Sequence, residues 1–479
     1  MSRIIPYFMN AEIPKIGQTP MAYLNDMRNR PKEALGHSPQ NIGEMSGRVA
    51  PDTSEFIAHL IKKNYNVAKA ELAMHSTAKV RQVQAMMHKL VFKNEKGAYN
   101  NIQDSSKTYG IMTSGGSVAN ATALHVCLNT FMPNANSEGV KFPFEKNGKT
   151  YNQFAVVASE ATHYSVASAL GQLGLGKKSV ISVSTDRNGH VIVSEMKKAF
   201  EKAESEGKFV MAFIGVGGAT ETGQVDPMGD IAELAHQHGR WFHADLCWGG
   251  SQLISSNKAV LKGVELADSA SLDAQKGFAL PVGGLGGGMV VFRDPSSANV
   301  IAKNAEYILK KGGHDLGSVS MEGSRPAAGD AWHYVLLTRG ENGLCALTDE
   351  ANQIAKLLAN MIQTSPKFDL MMQPDTSVVS FRYLPQKFQG IAPQDLTTAQ
   401  NNEIDHFNKA LQEQVVRGGK SFVSITVTHD NRNSSRPCVS TFRAPINTGV
   451  TEEGAVAALN DILEKGYELE YGPMNAQAV

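Results

Sequence analysis

Cysteine is scarce and scattered. The 479 residues hold four, Cys127, Cys247, Cys345 and Cys438, with no two close in sequence. That spacing excludes a C-x-x-C zinc knuckle or thioredoxin-type pair and fits a reducing compartment. Net charge is also missing: 46 Lys and Arg balance 46 Asp and Glu. Balanced charge argues against a general nucleic-acid binder, and 3 Trp with 7% aromatics leave little for base stacking. No stretch of 18 apolar residues exists, and the most apolar segment, 277–292, is interrupted by Pro281 and several glycines. The N-terminal MSRIIPYFMNAEIP carries Asn10, Glu12 and two prolines where a secretory signal needs an apolar run. The expectation is a cytoplasmic protein with no membrane association.

Enough apolar sequence is present for large cores. Apolar residues make up 42% and charged residues 19%, and the length suggests two or three domains. Residues 1 to about 50 are irregular; helical spacing begins at Pro51 and runs to Phe92. From Tyr109 onward, seven short β-rich runs (GIMTS, FAVVAS, SVISVS, FVMAFIGV, WFHADL, DSASLD, GGMVVF) alternate with helix candidates. That alternation predicts a mainly parallel sheet covered on both faces, with ligands gathered at the carboxyl ends of its strands. Beyond it lie two helices, AWHYVLLTRG and LTDEANQIAKLLANMIQ, then strand-like SVVSFRYL, SFVSITVTHD and CVSTFRAPI, then a closing helix. The division expected is an N-terminal arm and helical segment over 1–92, a large α/β domain over 93–330, and a small α+β domain over 331–479.

Four motifs fall just after predicted strands. Thr113 to Ser117 reads TSGGS and opens a helix, where glycines and free amides suit a phosphate, although the same pattern makes an ordinary strand-to-helix turn. Asp245, in HADLCWGG, ends an apolar strand where a carboxylate needs a partner: a cationic ligand nitrogen, a metal or an arginine. His236, His238, His243, Asp245 and Cys247 crowd together, but the first two belong to a helix end and Gly239 separates them from the strand, so no metal site is expected. Lys276, in DAQK, follows a strand and precedes a glycine-rich loop, and burial there would favour a nucleophilic amine. His163, in HYS, could stack on a planar ligand or cap a helix. GQLGLGKK at 171–178 almost spells a phosphate loop, but Lys178 stands where Ser or Thr is needed, so it reads as a helix end.

Taken in order, TSGGS, HYS, GATETGQVDP, HADLCWGG, DAQK and MEGSRP resemble the group II pyridoxal-phosphate (PLP) amino-acid decarboxylases, from about Gly43 onward. NVAKAE at 66–71, ELADSASLDAQK, AEYILKKGGHDLG and GGKSFVSITV place the likeness nearest the bacterial glutamate-decarboxylase-like aspartate 1-decarboxylases. The resemblance implies a fold-type-I PLP enzyme (aspartate-aminotransferase-like), a homodimer, and α-decarboxylation of an acidic amino acid: aspartate to β-alanine first, glutamate second.

It also implies roles. Lys276 would form the Schiff base with PLP, Asp245 would keep the pyridine nitrogen protonated, and His163 would stack on the ring. Gly115, Gly116 and Ser117 match the phosphate loop. Thr220 and Asp273 stand near the cofactor, and Cys247 replaces the usual small residue beneath the ring. Arg443 resembles the arginine that holds the substrate α-carboxylate. Two positions depart from the pattern. Gln275 stands where the family usually has His, so it can donate to phosphate but cannot titrate. The stretch 312–320 has no tyrosine, which leaves His314 as a candidate proton donor there. Other PLP reactions (lyase or aminotransferase) and a non-catalytic PLP or metal binder are the rival readings.

Overall fold

The computed structural model describes residues 19–21, 38, 40–93, 96–282, 285–303, 313–324, 326–433 and 438–472. All seven β-rich runs are strands of one sheet: β1 (Gly110–Thr113), β2 (Gln153–Ser159), β3 (Val180–Val183), β4 (Lys208–Val216), β5 (Trp241–Asp245), β6 (Ser269–Asp273) and β7 (Gly288–Phe292). Their order is β1-β7-β6-β5-β4-β2-β3. The pairs β2–β3, β2–β4, β4–β5 and β5–β6 are parallel, and β7 runs antiparallel to both β1 and β6. These strands are near-continuous apolar runs because both faces are covered. Val210 and Phe213 of β4 enter the core on one face, Phe209, Met211 and Ile214 the core on the other. The pairing of β2 with β4 slips by one residue between Ala155↔Val210 and Val156↔Ala212, a bulge that leaves Met211 without an opposite residue.

Helices α1 (Pro51–Lys63), α2 (Met74–Phe92), α3 (Gly116–Phe131), α4 (Ser165–Gln172), α5 (Val193–Ser205) and α6 (Met228–Gln237) surround this sheet. Val80, Val83, Met87 and Val91 of α2 share a core with β1, β5 and Trp332. Helix α4 ends where GQLGLGKK begins to turn, with Gly174 and Gly176 at positive φ, so that run is a helix terminus. The crossover from β5 to β6 contains three short 3-10 turns in place of an α-helix.

The long helix α7 (Ala328–Thr364) is two helices interrupted at Gly340, whose φ of 62° and ψ of −178° no helix contains. The predicted AWHYVLLTRG ends at that glycine. A second sheet, ordered β8-β9-β11-β10, holds β8 (Phe368–Leu370), β9 (Val378–Tyr383), β10 (Ser424–His429) and β11 (Cys438–Pro445), all antiparallel. Helices α8 (Thr398–Gly418) and α9 (Glu452–Tyr471) and the second half of α7 pack on it around Phe381, Phe442 and Ile462. Ile42, from the segment expected to be irregular, is fully buried in this core, and its neighbour Asn41 bridges to Phe422. No helix among the described residues is long and apolar enough to cross a membrane.

Candidate active site

The carboxyl ends of β1, β2, β4, β5 and β6 open onto one cavity of about 350 Å³. Its wall includes Gly115, Gly116 and Ser117 after β1, His163 and Tyr164 after β2, and Gly218 and Thr220 after β4. Asp245, Cys247 and Trp248 line it after β5, and Asp273, Gln275 and Lys276 after β6. Ten of the eleven residues singled out from sequence therefore face one space. The eleventh, Arg443 on β11, stands behind the wall: its guanidinium donates to the Thr220 carbonyl at 3.5 Å, the Gly43 carbonyl at 3.3 Å and Ser424 Oγ at 3.0 Å. Burial lowers the pKa of Arg443, and Glu221 nearby acts in the opposite direction.

Asp245 ends β5, 5% exposed, and accepts three hydrogen bonds, with no Lys or Arg ion pair among the described residues. Asn120 Nδ2 donates to Oδ2 at 2.8 Å, the Cys247 amide to Oδ1 at 3.1 Å, and Ser271 Oγ to Oδ1 at 3.2 Å. Burial alone would push this carboxyl up; His243, the Cys247 thiol and amide and Asn120 together bring it below its ordinary value. Cys247 is held as a neutral thiol by its own burial, with Sγ 3.4 Å from Ser271 Oγ.

Asp273 caps the short helical turn that carries Lys276, accepting from the Gln275 amide at 3.4 Å. It also receives the Gln275 side-chain amide at 3.4 Å and the Gly116 amide at 3.3 Å. Lys276 Nζ lies 4.0 Å from Asp273 Oδ2. Burial raises the Asp273 pKa. Gly116 must be glycine: a Cβ there would sit 2.4 Å from Cys247 Sγ and 3.1 Å from Asp273 Oδ2. The start of α3 is thereby pressed against β5 and β6, with its first amides at the cavity.

His163 Nδ1 pairs with Ser165 Oγ at 2.8 Å, and burial lowers its pKa. His243, fully buried behind Asp245, pairs through Nδ1 with Ser269 Oγ at 2.8 Å and through Nε2 with Asn120 Oδ1 at 3.0 Å. Burial pushes it down to about 4. A histidine whose folded pKa is depressed leaves the unfolded chain binding more protons, so its contribution to stability is lost as pH falls from about 6.5 towards 4. His88, also pushed to about 4 by burial, has the same sign, while Asp226, pushed up to about 6, works against them. Ring signals of His243 in a nitrogen-15 NMR titration are expected to stay those of a neutral imidazole from pH 8 down to about 5; titration near 6.5 would contradict this burial argument.

The histidines that crowd together in sequence diverge in space. His236 pairs with Asp268 at 3.2 Å and His238 packs on the Phe200 ring at 4.4 Å, while His243 points inward. Among the described residues no group of three His, Cys, Asp or Glu side chains is placed to hold a metal. His314 is exposed and does not line the cavity; much of the AEYILKKGG stretch before it lies outside the described residues. Sequence reasoning overlooked Asn120, Ser271 and the cavity-lining Tyr164. The available signal was Asn120 itself, an amide inside the otherwise apolar helix ANATALHVC, where a polar group needs a partner.

The arrangement fits PLP. The cavity offers one amine at Lys276, a buried ionised carboxylate at Asp245, an imidazole at His163, and the start of a helix at Gly116 and Ser117 for a phosphate. Comparison with known proteins agrees. The pyridoxal-dependent decarboxylase conserved domain matches residues 53–384, and the chain belongs to that family. The protein is thus a PLP-dependent carboxy-lyase acting on amino acids. It is 33% identical over 399 residues to an aspartate 1-decarboxylase of Aliivibrio fischeri, covering 81% of this chain and 72% of that one. It is 26% identical over 370 residues to the acidic amino acid decarboxylase GADL1 of Xenopus tropicalis, covering 75% and 68%. The structure of mouse CSAD superposes with a TM-score of 0.82 at 20% identity, over 97% of this chain and 92% of that one, and its fold is that of fold-type-I PLP decarboxylases.

Proposed function

We propose that this enzyme removes the α-carboxylate of an acidic L-amino acid, with aspartate as the preferred substrate and β-alanine as the product. The observation that carries the choice of aspartate is the 33% identity to an aspartate 1-decarboxylase across 81% of the chain. Bound PLP supplies an electron sink for the pair of electrons left when carbon dioxide departs. The chain's own residues do the rest. Lys276 would hold the cofactor through its side-chain amine. Asp245 holds the proton on the pyridine nitrogen, and its three donors keep it ionised for that task. His163 would hold the cofactor ring from the cavity wall. Gly115, Gly116, Ser117 and Gln275 would cradle the phosphate, with Asp273 holding Gln275 and the Gly116 amide in place. Thr220 and Cys247 close the wall.

Arg443 would receive a substrate carboxylate by exchanging the Thr220 and Gly43 carbonyls its fork binds behind the cavity wall for that carboxylate, while Ser424 keeps hold of its Nε. Holding the substrate carboxylate at a fixed point would make Arg443's contribution a positioning effect. The same reading carries a homodimer in the cytoplasm, with large and small domains over 93–330 and 331–479. Tyr164 at the cavity mouth is 73% exposed and Val282 65%, apolar surface suited to a subunit boundary.

The test is a product assay by mass spectrometry. PLP-loaded protein is incubated separately with L-aspartate, L-glutamate, cysteine sulfinate and 2,4-diaminobutyrate. β-Alanine formed fastest from aspartate is the expected result. A faster amine product from another substrate overturns the choice of aspartate, and keto-acid products without carbon dioxide overturn decarboxylation itself.

A further inference from the structure

Behind the cavity, one buried chain of polar side chains links Trp241 to both Asp245 and His163. Trp241 Nε1 donates to Ser269 Oγ at 2.8 Å. Ser269 Oγ meets His243 Nδ1 at 2.8 Å, and His243 Nε2 meets Asn120 Oδ1 at 3.0 Å. Asn120 Nδ2 then donates twice, to Asp245 Oδ2 at 2.8 Å and to Ser165 Oγ at 3.0 Å. Ser165 Oγ meets His163 Nδ1 at 2.8 Å. Every link but His163 is buried, and Asn120, Ser165, His243 and Ser269 are each no more than 2% exposed.

The direction of this chain is forced. An indole N–H only donates and a carboxylate only accepts, so both ends are one-way. Asp245 can only accept, so Asn120 turns its NH2 towards Asp245 and Ser165 and its Oδ1 towards His243 Nε2, which must carry the proton. A neutral His243 then has a bare Nδ1, so Ser269, which accepts from Trp241, donates its own proton to that nitrogen. Ser165 accepts from Asn120 and turns its hydroxyl proton to His163 Nδ1. The Ser165 backbone amide also points at that nitrogen, at 3.3 Å, and makes it an acceptor a second time.

We infer that Asn120 is a positioning residue that, with Ser165 and His243 on either side, fixes His163 as the Nε2–H tautomer while holding the Asp245 carboxylate in place. One amide thus sets two groups on the cavity wall: the imidazole presents a donor at Nε2, and the carboxylate is held with one lone-pair direction of Oδ2 already taken. The inference rests on the PLP reading for its use in catalysis, but the tautomer is a property of the protein alone.

The experiment labels histidine rings with nitrogen-15 and records long-range spectra of the full chain, with and without PLP, assigning His163 through His163→Asn. In wild type His163 is expected to show a bare Nδ1 and a protonated Nε2 between pH 6 and 8. Ser165→Ala is expected to give a mixture of tautomers with PLP affinity within a few-fold of wild type, and Ser165→Thr, which keeps the hydroxyl, to restore the single form. Asn120→Ala is expected to disturb His163 in the same way and to weaken PLP binding about tenfold, because Asp245 also loses a charged hydrogen bond. A protonated Nδ1 in wild type, or a tautomer unchanged in both Ser165→Ala and Asn120→Ala, overturns the relay. Failure of wild-type protein to bind PLP, with the tautomer as stated, would instead overturn the functional reading and leave the relay intact.

Discussion

Lys276→Ala is expected to abolish the long-wavelength absorbance of PLP-loaded protein and to reduce decarboxylation by about a thousandfold or more, the scale on which a positioned intramolecular amine outperforms one from solution. The geometry supports a single candidate for this role. Among the described residues Lys276 is the one lysine on the cavity wall, held on the turn that Asp273 caps, with Nζ 4.0 Å from the Asp273 carboxylate. That carboxylate is anchored in turn by the Gly116 and Gln275 amides, so the lysine's base is fixed on the wall of the cavity that His163 also lines. Borohydride reduction of the wild-type holoprotein, followed by peptide mass spectrometry, should place the cofactor adduct on the peptide containing Lys276. An adduct on another lysine, or a surviving band in Lys276→Ala, would show the attachment point to be elsewhere. Lys276→Arg keeps the charge beside Asp273 and guards against a variant that simply fails to fold.

The large sheet was legible because of what burial on both faces demands. FVMAFIGV carries no polar residue and FAVVAS only its terminal Ser159, so they stand out as short continuous apolar runs between helical periods. Gly340 marks the break in α7 because no helix tolerates its backbone, and the sequence showed a helix ending there. Less visible were β8, only three residues long, and α8, whose apolar face is interrupted by buried Asn401, Asp405 and Asn408. Its start was readable all the same: Thr397 and Gln400 form a capping box. The β5–β6 crossover starts pressed on the sheet: a Cβ at Gly249 or Gly250 would meet Gly217 or Leu272 at 2.0 and 2.4 Å.

For the site, the order of motifs located nearly every wall residue, since each follows a strand whose carboxyl end the topology brings to one edge. What sequence could not supply was the connectivity behind the wall. Asn120 lies 125 positions from Asp245 and 45 from Ser165, and only the folded sheet brings the three together. Arg443 shows the opposite case: its resemblance to a carboxylate-binding arginine named the residue, but its position behind Thr220 is set by the packing of β11 against the large domain.

Asp245→Asn tests whether the carboxylate acts by charge or by shape. The substitution keeps volume and removes the negative charge that would hold a proton on the cofactor's pyridine nitrogen. Turnover at saturating PLP is expected to fall on the order of 10³-fold, the equivalent of about 4 kcal/mol for a buried charge left without its partner. The loss has a second source in the surrounding donors. Asn120, the Cys247 amide and Ser271 all point hydrogens at Asp245, so the new NH2 group must face at least one of them. Turning the Asn120 amide would relieve that clash only by placing an N–H against His243 Nε2, which already carries a proton, so His243 would have to change tautomer against Ser269. PLP affinity should therefore weaken as well, by about tenfold, but less than turnover, because the covalent link to Lys276 and the phosphate contacts remain. Measuring kcat at saturating PLP beside the PLP dissociation constant separates the two effects. A kcat within threefold of wild type would mean that the reaction does not depend on a charge at this strand end, and the electron-sink role assigned to Asp245 would have to be withdrawn.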